Sequence, residues 1–511
     1  MVEVLLLVFT VAITSVGLRS SLIRLHSKEW RRGWSGDSSV HITLIRHIEA
    51  GRASKPVPAY VIGSRAPSYP LLFHRFAALF GSRLIVAKPW LPNAVLFTVF
   101  STFAVGISAA WLQSNGQLTI ATAAVLITAV LIPISGVWIF GPAIAYIGLS
   151  ERLLGRLATG LSQLLLLLAI NTENVAFVLC SALWAAVAML ASKFARQAIW
   201  LSAPILAGLV LSVYPLMGAI IGTALAVLID KRRFFASICF QVQHLRAYSG
   251  TIRKSPVASR ALATYLEISD LRPPWSAKGL LALAISKEPS RLVVFFPEVL
   301  LAGALTFSWS DPPGSNAAAF IVTFLIIYVA TSIRRFSFLG ESYRYVEFGL
   351  VYITPIALAE ASLQFAWVLP FLLVVGCFGI LVAIFHQRRL NGALSETDEL
   401  SEFLSSLPLR EGDLIFPISM RLGADVTARL PVRSYWWQPG NITSDILNKY
   451  VDNYPFLSSK VLHAAREEVD YIILRLSALR QYTGDYELWR FECIAEVGDL
   501  ACYRVSAWPS V

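Results

Sequence analysis

The chain has 511 residues, 56% of them hydrophobic and only 15% charged, with a mean hydropathy of +0.63; that balance excludes an ordinary soluble globular protein. A formal net charge of +11 brings no nucleic-acid motif with it. The basic residues sit beside apolar runs rather than in one stripe, which suits lipid headgroups or phosphates and not DNA or RNA.

A bilayer core about 30 Å thick takes roughly 20 apolar residues per helical crossing. Runs near that length lie at 4–18, 92–112, 118–136, 157–170, 174–192, 198–213, 216–229, 292–308, 317–333, 349–364 and 367–386. They predict a polytopic α-helical membrane protein with about 10–11 transmembrane helices. The uncertainty in the count lies at Tyr214-Pro215, because proline removes a backbone donor and breaks the stretch from Ile199 to Ile229 into two helices or kinks one.

The first run, Val4 to Leu18, follows Glu3 and precedes Arg19, Arg24 and Lys28 with no small-residue cleavage site, so it reads as a retained anchor. A long first loop, 19–91, comes next. It carries Asp37, then His41 and Arg46 on what reads as a helix, then Gly51, Tyr69-Pro70 and His74. Aspartate before Ser-Ser-Val-His suits a helix N-cap. It also suits a catalytic base, and the two roles do not exclude one another.

Alternation of the runs puts the basic segments on one face: 19–91, Arg152/Arg156, Lys193/Arg196, Lys231-Arg232-Arg233, Arg334-Arg335 and Arg388-Arg389. The opposite face keeps turns near Ser114-Asn115, Asn171 to Glu173 and Asp311-Pro312-Pro313. A surface loop, 230–290, mixes aromatic and basic residues along the membrane surface. The loop 334–348 places Glu341 over Arg344 and Tyr345 if it is helical.

From about Asn391 the hydropathy collapses, and 391–511 reads as a small soluble α/β domain: a buried strand from Asp413, a helix from Lys460, a strand from Asp470, and a hairpin over Phe491 to Val505. Cys493 and Cys502 flank the Gly498-Asp499 turn, on one face but diagonally placed for a disulfide. No CxxC, glycine-rich phosphate loop or GxSxG is present, and no internal repeat.

The set Asp37, His41, Arg46, Gly51, Tyr69-Pro70 and His74, with Gly340-Glu341, Arg344-Tyr345 and Glu347 in the later loop, resembles the GT-C class of membrane glycosyltransferases. That class includes oligosaccharyltransferase catalytic subunits and the mannosyl- and arabinosyltransferases that use polyprenyl-phosphate-linked sugars. The resemblance implies a GT-C-like transmembrane domain over 1–390. It implies transfer of a sugar from a lipid-linked donor to a glycan or glycolipid acceptor in surface polysaccharide assembly. Asp37 would be the base, and His41, Arg46, Tyr69, His74, Glu341, Arg344 and Tyr345 would contact substrate.

Many members carry paired acids in the first loop, whereas here Asp37 stands apart from Glu29 and Glu49. A lone acid is a poor bridge for a metal, so no metal ligands are assigned, and a divalent cation is the one cofactor the resemblance brings in. The class implies a plasma-membrane protein with the first loop and C-terminal domain exoplasmic, whereas the positive-inside rule puts the basic face in the cytoplasm. A flippase for a lipid-linked glycan, or a non-enzymatic assembly partner acting through 391–511, are the alternatives. The transferase reading expects one polar cavity at the loop face, holding both Asp37 and Arg344.

Overall fold

The computed structural model describes residues 38–62, 69–89, 91–114, 151–250, 296–307, 312–372, 395–418, 420–437, 443–453, 456–479 and 486–505, with a few isolated positions between them. The run 4–18, Asp37, and most of 118–136, 251–290 and 373–394 lie outside the described residues.

The first loop folds as α1 (Ser38–Glu49), strand β1 (Tyr60–Ile62), α2 (Leu72–Ala78) and α3 (Ser82–Ala87). Helix α1 is apolar on two sides. Ile42 and Ile45 join the membrane-domain core, while Leu44 packs with Val57, Tyr60 and Leu71.

The membrane domain continues through α4 (Leu91–Ser114), α5 (Arg152–Thr172), α6 (Val175–Ala191) and α7 (Lys193–Leu209). The turns between the last three are very short. Glu173 adopts a left-handed φ of 53° to end α5, and Asn174 accepts from Ala176 N–H at 2.9 Å to start α6. Ser192 does the same for α7, accepting from Phe194 N–H at 3.3 Å. This folding back returns Lys193 to the end of the bundle that holds Arg152.

Helix α8 (Tyr214–Gly250) begins at the tyrosine-proline pair and bends at Asp230. The stretch from Ile199 to Ile229 is therefore divided between two helices, as one of the two sequence readings has it. After it come α9 (Pro297–Phe307), α10 (Pro312–Ser332), a 3-10 turn over Arg334–Leu339, α11 (Tyr343–Leu350) and α12 (Ile353–Gln364). A Cβ on Gly160 of α5 would strike Val351, and one on Gly349 would strike the Phe324 ring. Small residues thus let these backbones approach as they do in membrane bundles.

Large apolar side chains point outward along these helices: Leu179, Leu183 and Leu228 are exposed, as expected of lipid-facing surface. Among the described residues three helices are long and apolar enough to cross a membrane, or four if the bent pair α11–α12 is one span. Shorter apolar helices cover Val175–Ala191, Pro297–Thr306 and Asn316–Ser332. The expected run 4–18 and most of 118–136 and 373–386 lie outside the described residues, so the expectation of about 10–11 crossings is met in part. The run at 349–364 falls on the bent pair, with α12 covering 12 residues.

The C-terminal region folds as α13 (Ser395–Ser406), β2 (Leu414–Pro417), α14 (Met420–Arg429), β3 (Arg433–Trp437), α15 (Ser444–Tyr450), a small β4–β5 hairpin (Val451–Asn453, Phe456–Leu457), α16 (Ser459–Ala465), β6 (Tyr471–Arg475), β7 (Glu492–Val497) and β8 (Leu500–Arg504). The strand, helix, strand and hairpin read from the sequence occupy their expected stretches. The sheet order is β1-β3-β2-β6-β8-β7, parallel from β1 to β6 and antiparallel through β8 and β7.

One strand of this sheet comes from outside 391–511. Strand β1 of the first loop pairs with β3, Tyr60 opposite Ser434. The cysteine geometry also differs from expectation. A bulge between Cys493 and Ala495 sets Cys493 opposite Tyr503 and Ala495 opposite Cys502, so Cys493 is exposed, Cys502 is buried, and both are free thiols.

Candidate functional site

The helix ends that carry the basic residues meet at one place. Between α1, the starts of α5 and α7, the last turns of α8, the 334–341 segment and strand β3 lies a cavity of about 390 Å³, within the ~300–1,000 Å³ usual for ligand sites. At the far end of the bundle turns without lysine or arginine meet instead. Asn316 Nδ2 donates to Asn171 Oδ1 at 2.7 Å, and Tyr214 Oη donates to the Glu173 carbonyl at 3.2 Å. The sequence asymmetry is thus an asymmetry between the two ends of the bundle.

One wall is a buried polar cluster. Glu151, the residue before α5, takes a bond from Tyr69 Oη at 2.6 Å and pairs with His41 Nε2 at 3.0 Å. Behind them His41 Nδ1 and His74 Nε2 share one proton across 2.8 Å. Burial alone would raise the Glu151 carboxyl, but His41, its bond, Arg152 and the Tyr69 bond hold it well below the usual carboxylate range. Burial, reinforced by His41, drives His74 down to about 3, so His74 is neutral.

The opposite wall is cationic and aromatic. Lys193 Nζ lies 5.1 Å and Arg344 Cζ 4.2 Å from the Phe194 ring centroid, so two cations share one aromatic face system. Arg344 is ion-paired with Glu341, which also accepts from Tyr343 Oη at 2.6 Å. Burial would push the Glu341 carboxyl up; the Arg344 charge and these bonds more than offset it, and the group lies below its ordinary value. The turn that presents Glu341 needs glycine. Gly340 has φ +110°, and a Cβ there would meet Phe194 at 2.6 Å. Tyr248 and Tyr265 add aromatic surface, and Trp436 of β3 contributes its ring from the C-terminal domain.

Of the residues singled out in the sequence, His41, Tyr69, Glu341 and Arg344 line this cavity, and His74 supports His41 from behind. Arg46 and Tyr345 stand away from it. Arg46 is exposed and donates to the Ala428 carbonyl at 2.9 Å, tying α1 to the end of α14. Tyr345 is buried and donates to the Leu339 carbonyl at 3.0 Å, closing the 3-10 turn. Asp37 lies outside the described residues, directly before Ser38.

Sequence reasoning did not single out Glu151, Arg152, Lys193, Phe194 or Trp436 for the site. The available signal was Glu151-Arg152 abutting an apolar run on the basic face. Trp436 gave none, because its place depends on β3 pairing with the first loop. No group of three or more His, Cys, Asp or Glu side chains arranged to hold a metal ion occurs among the described residues.

No family model matches the sequence, and no curated protein matches it. Among solved structures, ArnT from Cupriavidus metallidurans bound to undecaprenyl phosphate is similar with a TM-score of 0.55 and 12% identity, over 99% of this chain and 98% of that one. The Archaeoglobus fulgidus oligosaccharyltransferase in its apo form gives 0.51 and 12%, over 99% of this chain and 75% of that one. The same enzyme in complex with Zn and sulfate gives 0.51 and 12%, over 98% and 73%. At such identities the likeness is one of fold, and it spans nearly the whole chain.

Proposed function

We propose that this chain, an integral membrane protein with the GT-C fold, transfers a sugar from a polyprenyl-phosphate-linked donor to a hydroxyl of a glycan or glycolipid acceptor. The observation that carries the reading is the cavity itself, which sets Arg152, Lys193 and Arg344 beside aromatic rings and carboxylates at one end of a membrane bundle. A lipid-linked sugar phosphate offers matching chemistry: an anion for the cations, a sugar face for the rings and hydroxyls for the carboxylates.

In this reaction the acceptor oxygen bonds to the anomeric carbon, the carbon–oxygen bond to the phosphate breaks, and the electron pair leaves on the phosphate. Arg152, Lys193 and Arg344 neutralise that developing charge. Asp37, directly before α1, takes the acceptor proton. His41 and Glu151 fix the first turn of α1 against the start of α5. A divalent cation, if bound, would add positive charge at the leaving phosphate beside these three cations.

The first loop and C-terminal domain would face the exoplasmic side of the plasma membrane. Arg152, Lys193 and Arg344 line the cavity, and in this reading these three basic residues serve substrate binding rather than insertion topology. The test is Asp37→Asn in the host strain, with protein level checked and lipid-linked and surface glycans profiled by mass spectrometry. Loss of one sugar from one glycan at normal protein level is expected. Unchanged glycans would leave Asp37 as a helix cap and remove the base from this mechanism.

A further inference from the structure

Helix α8 is not one helix electrostatically. At Asp230, φ −152° and ψ 72° interrupt it, separating an apolar half from a polar half. The aspartate caps the second half, its Oδ1 accepting from Arg233 N–H at 3.2 Å. Its other oxygen lies 3.7 Å from Arg75 Nη2 of α2 and 3.4 Å from Arg233 Nε. Lys231 and Arg232 follow directly and are exposed. One carboxylate therefore stands among four cations.

The arrangement leaves one donor without a partner. Arg233 Nη1 is shielded from water and has no acceptor among the described residues, an unfavourable state for a charged donor. The residues around it form a recess of about 40 Å³ between α2, α6 and α8. That is several times the ~10–15 Å³ one water requires. Leu72 and Ile229 form its apolar side and Ser237 a polar corner. Beside it Leu228 and Ile229 are 80% and 59% exposed, so apolar surface for acyl chains reaches the same level as the guanidinium groups. The recess shares no lining residue with the 390 Å³ cavity.

We propose that this recess binds the phosphate of a membrane lipid, with Arg233 Nη1 and Arg75 donating to its oxygens and the acyl chains lying along Leu228 and Ile229. Arg75 already bonds Asp230 loosely, at 3.7 Å, and a phosphate draws it from a weak pair into a charge-assisted one. The site stands on charge and geometry at the helix break and does not depend on sugar transfer.

The test is native mass spectrometry of the full-length protein released from detergent with phosphatidylglycerol. The wild type is expected to retain one tightly held lipid, and Arg233→Gln and Arg75→Gln to lose it with at least tenfold weaker retention. Lys231→Gln is expected to keep it. Arg75→Gln alters an exposed side chain, so it remains decisive if Arg233→Gln fails to fold. Equal retention in wild type and Arg75→Gln, or equal loss in Lys231→Gln, overturns the site in favour of diffuse surface charge. Two competitions identify the source of the phosphate. Undecaprenyl phosphate displacing the retained lipid at equal concentration assigns the site to a lipid phosphomonoester, and failure to displace it assigns the site to phospholipid. Displacement by millimolar inorganic phosphate overturns the lipid assignment.

Discussion

Among the titratable side chains at or behind the cavity wall, His74 and Glu151 begin to respond to acid at different pH values. His74 is held near 3 in the fold against 6.5 when unfolded, so the unfolded chain binds the extra proton. Stability is full above about pH 6.5 and falls as pH drops from there towards 3, by about 1.4 kcal/mol per unit from this one group. Glu151 is depressed too, from a lower unfolded value of 4.5; its contribution persists above that value and is lost only as pH falls below it. Thermal unfolding of His74→Gln between pH 6.5 and 5 is therefore expected to show a shallower pH slope than wild type. Equal slopes would mean that His74 is hydrated. Legibility at this scale follows sequence distance. The Glu341–Arg344 pair was readable because the two residues are only three apart, and the turn into α11, where Arg344 N–H donates to the Glu341 carbonyl at 3.1 Å, brings their side chains together as a helical turn would. The Tyr69–Glu151 bond joins residues 82 apart, and no local pattern encodes it.

At the level of helices and strands, apolar runs were readable because burial in lipid imposes one composition all round. Their lengths were less so, because breaks at Asp230 and between α11 and α12 are set by packing. The 65° bend between α11 and α12 lies against α5, where Gly160 leaves no room for a side chain facing Val351. Gly160→Val is expected to destabilise the purified protein by about 1–3 kcal/mol, the usual cost of overpacking a tight contact, read as a lower melting temperature in detergent. An unchanged melting temperature would show that the two helices separate readily. Strand β1 was invisible for the opposite reason. Three residues among prolines carry no periodicity, and only the neighbouring β3 makes them a strand.

Across the whole molecule the first loop and the C-terminal domain form a single body. Strand β1 lies in the C-terminal sheet, Arg46 donates to Ala428 across 382 residues of sequence, and Ser39 bonds Asp425. Removing 391–511 therefore does more than delete Trp436 from the cavity. It leaves β1 without its partner and α1 without a support. Limited proteolysis of the truncated protein is expected to cut within 50–62, where the full chain resists. Resistance in both would mean that the loop holds its shape on the membrane domain alone.

The pairing of Tyr60 with Ser434 also sets an order of events during synthesis. A ribosome delivers the first loop long before it makes β3, and contacts so far apart in sequence close last. While the helices are being threaded into the bilayer, the loop is present but unshaped. Trp436 reaches the cavity only once β3 has been made, so a nascent chain carries Arg152, Lys193 and Arg344 before the C-terminal side of the cavity is in place.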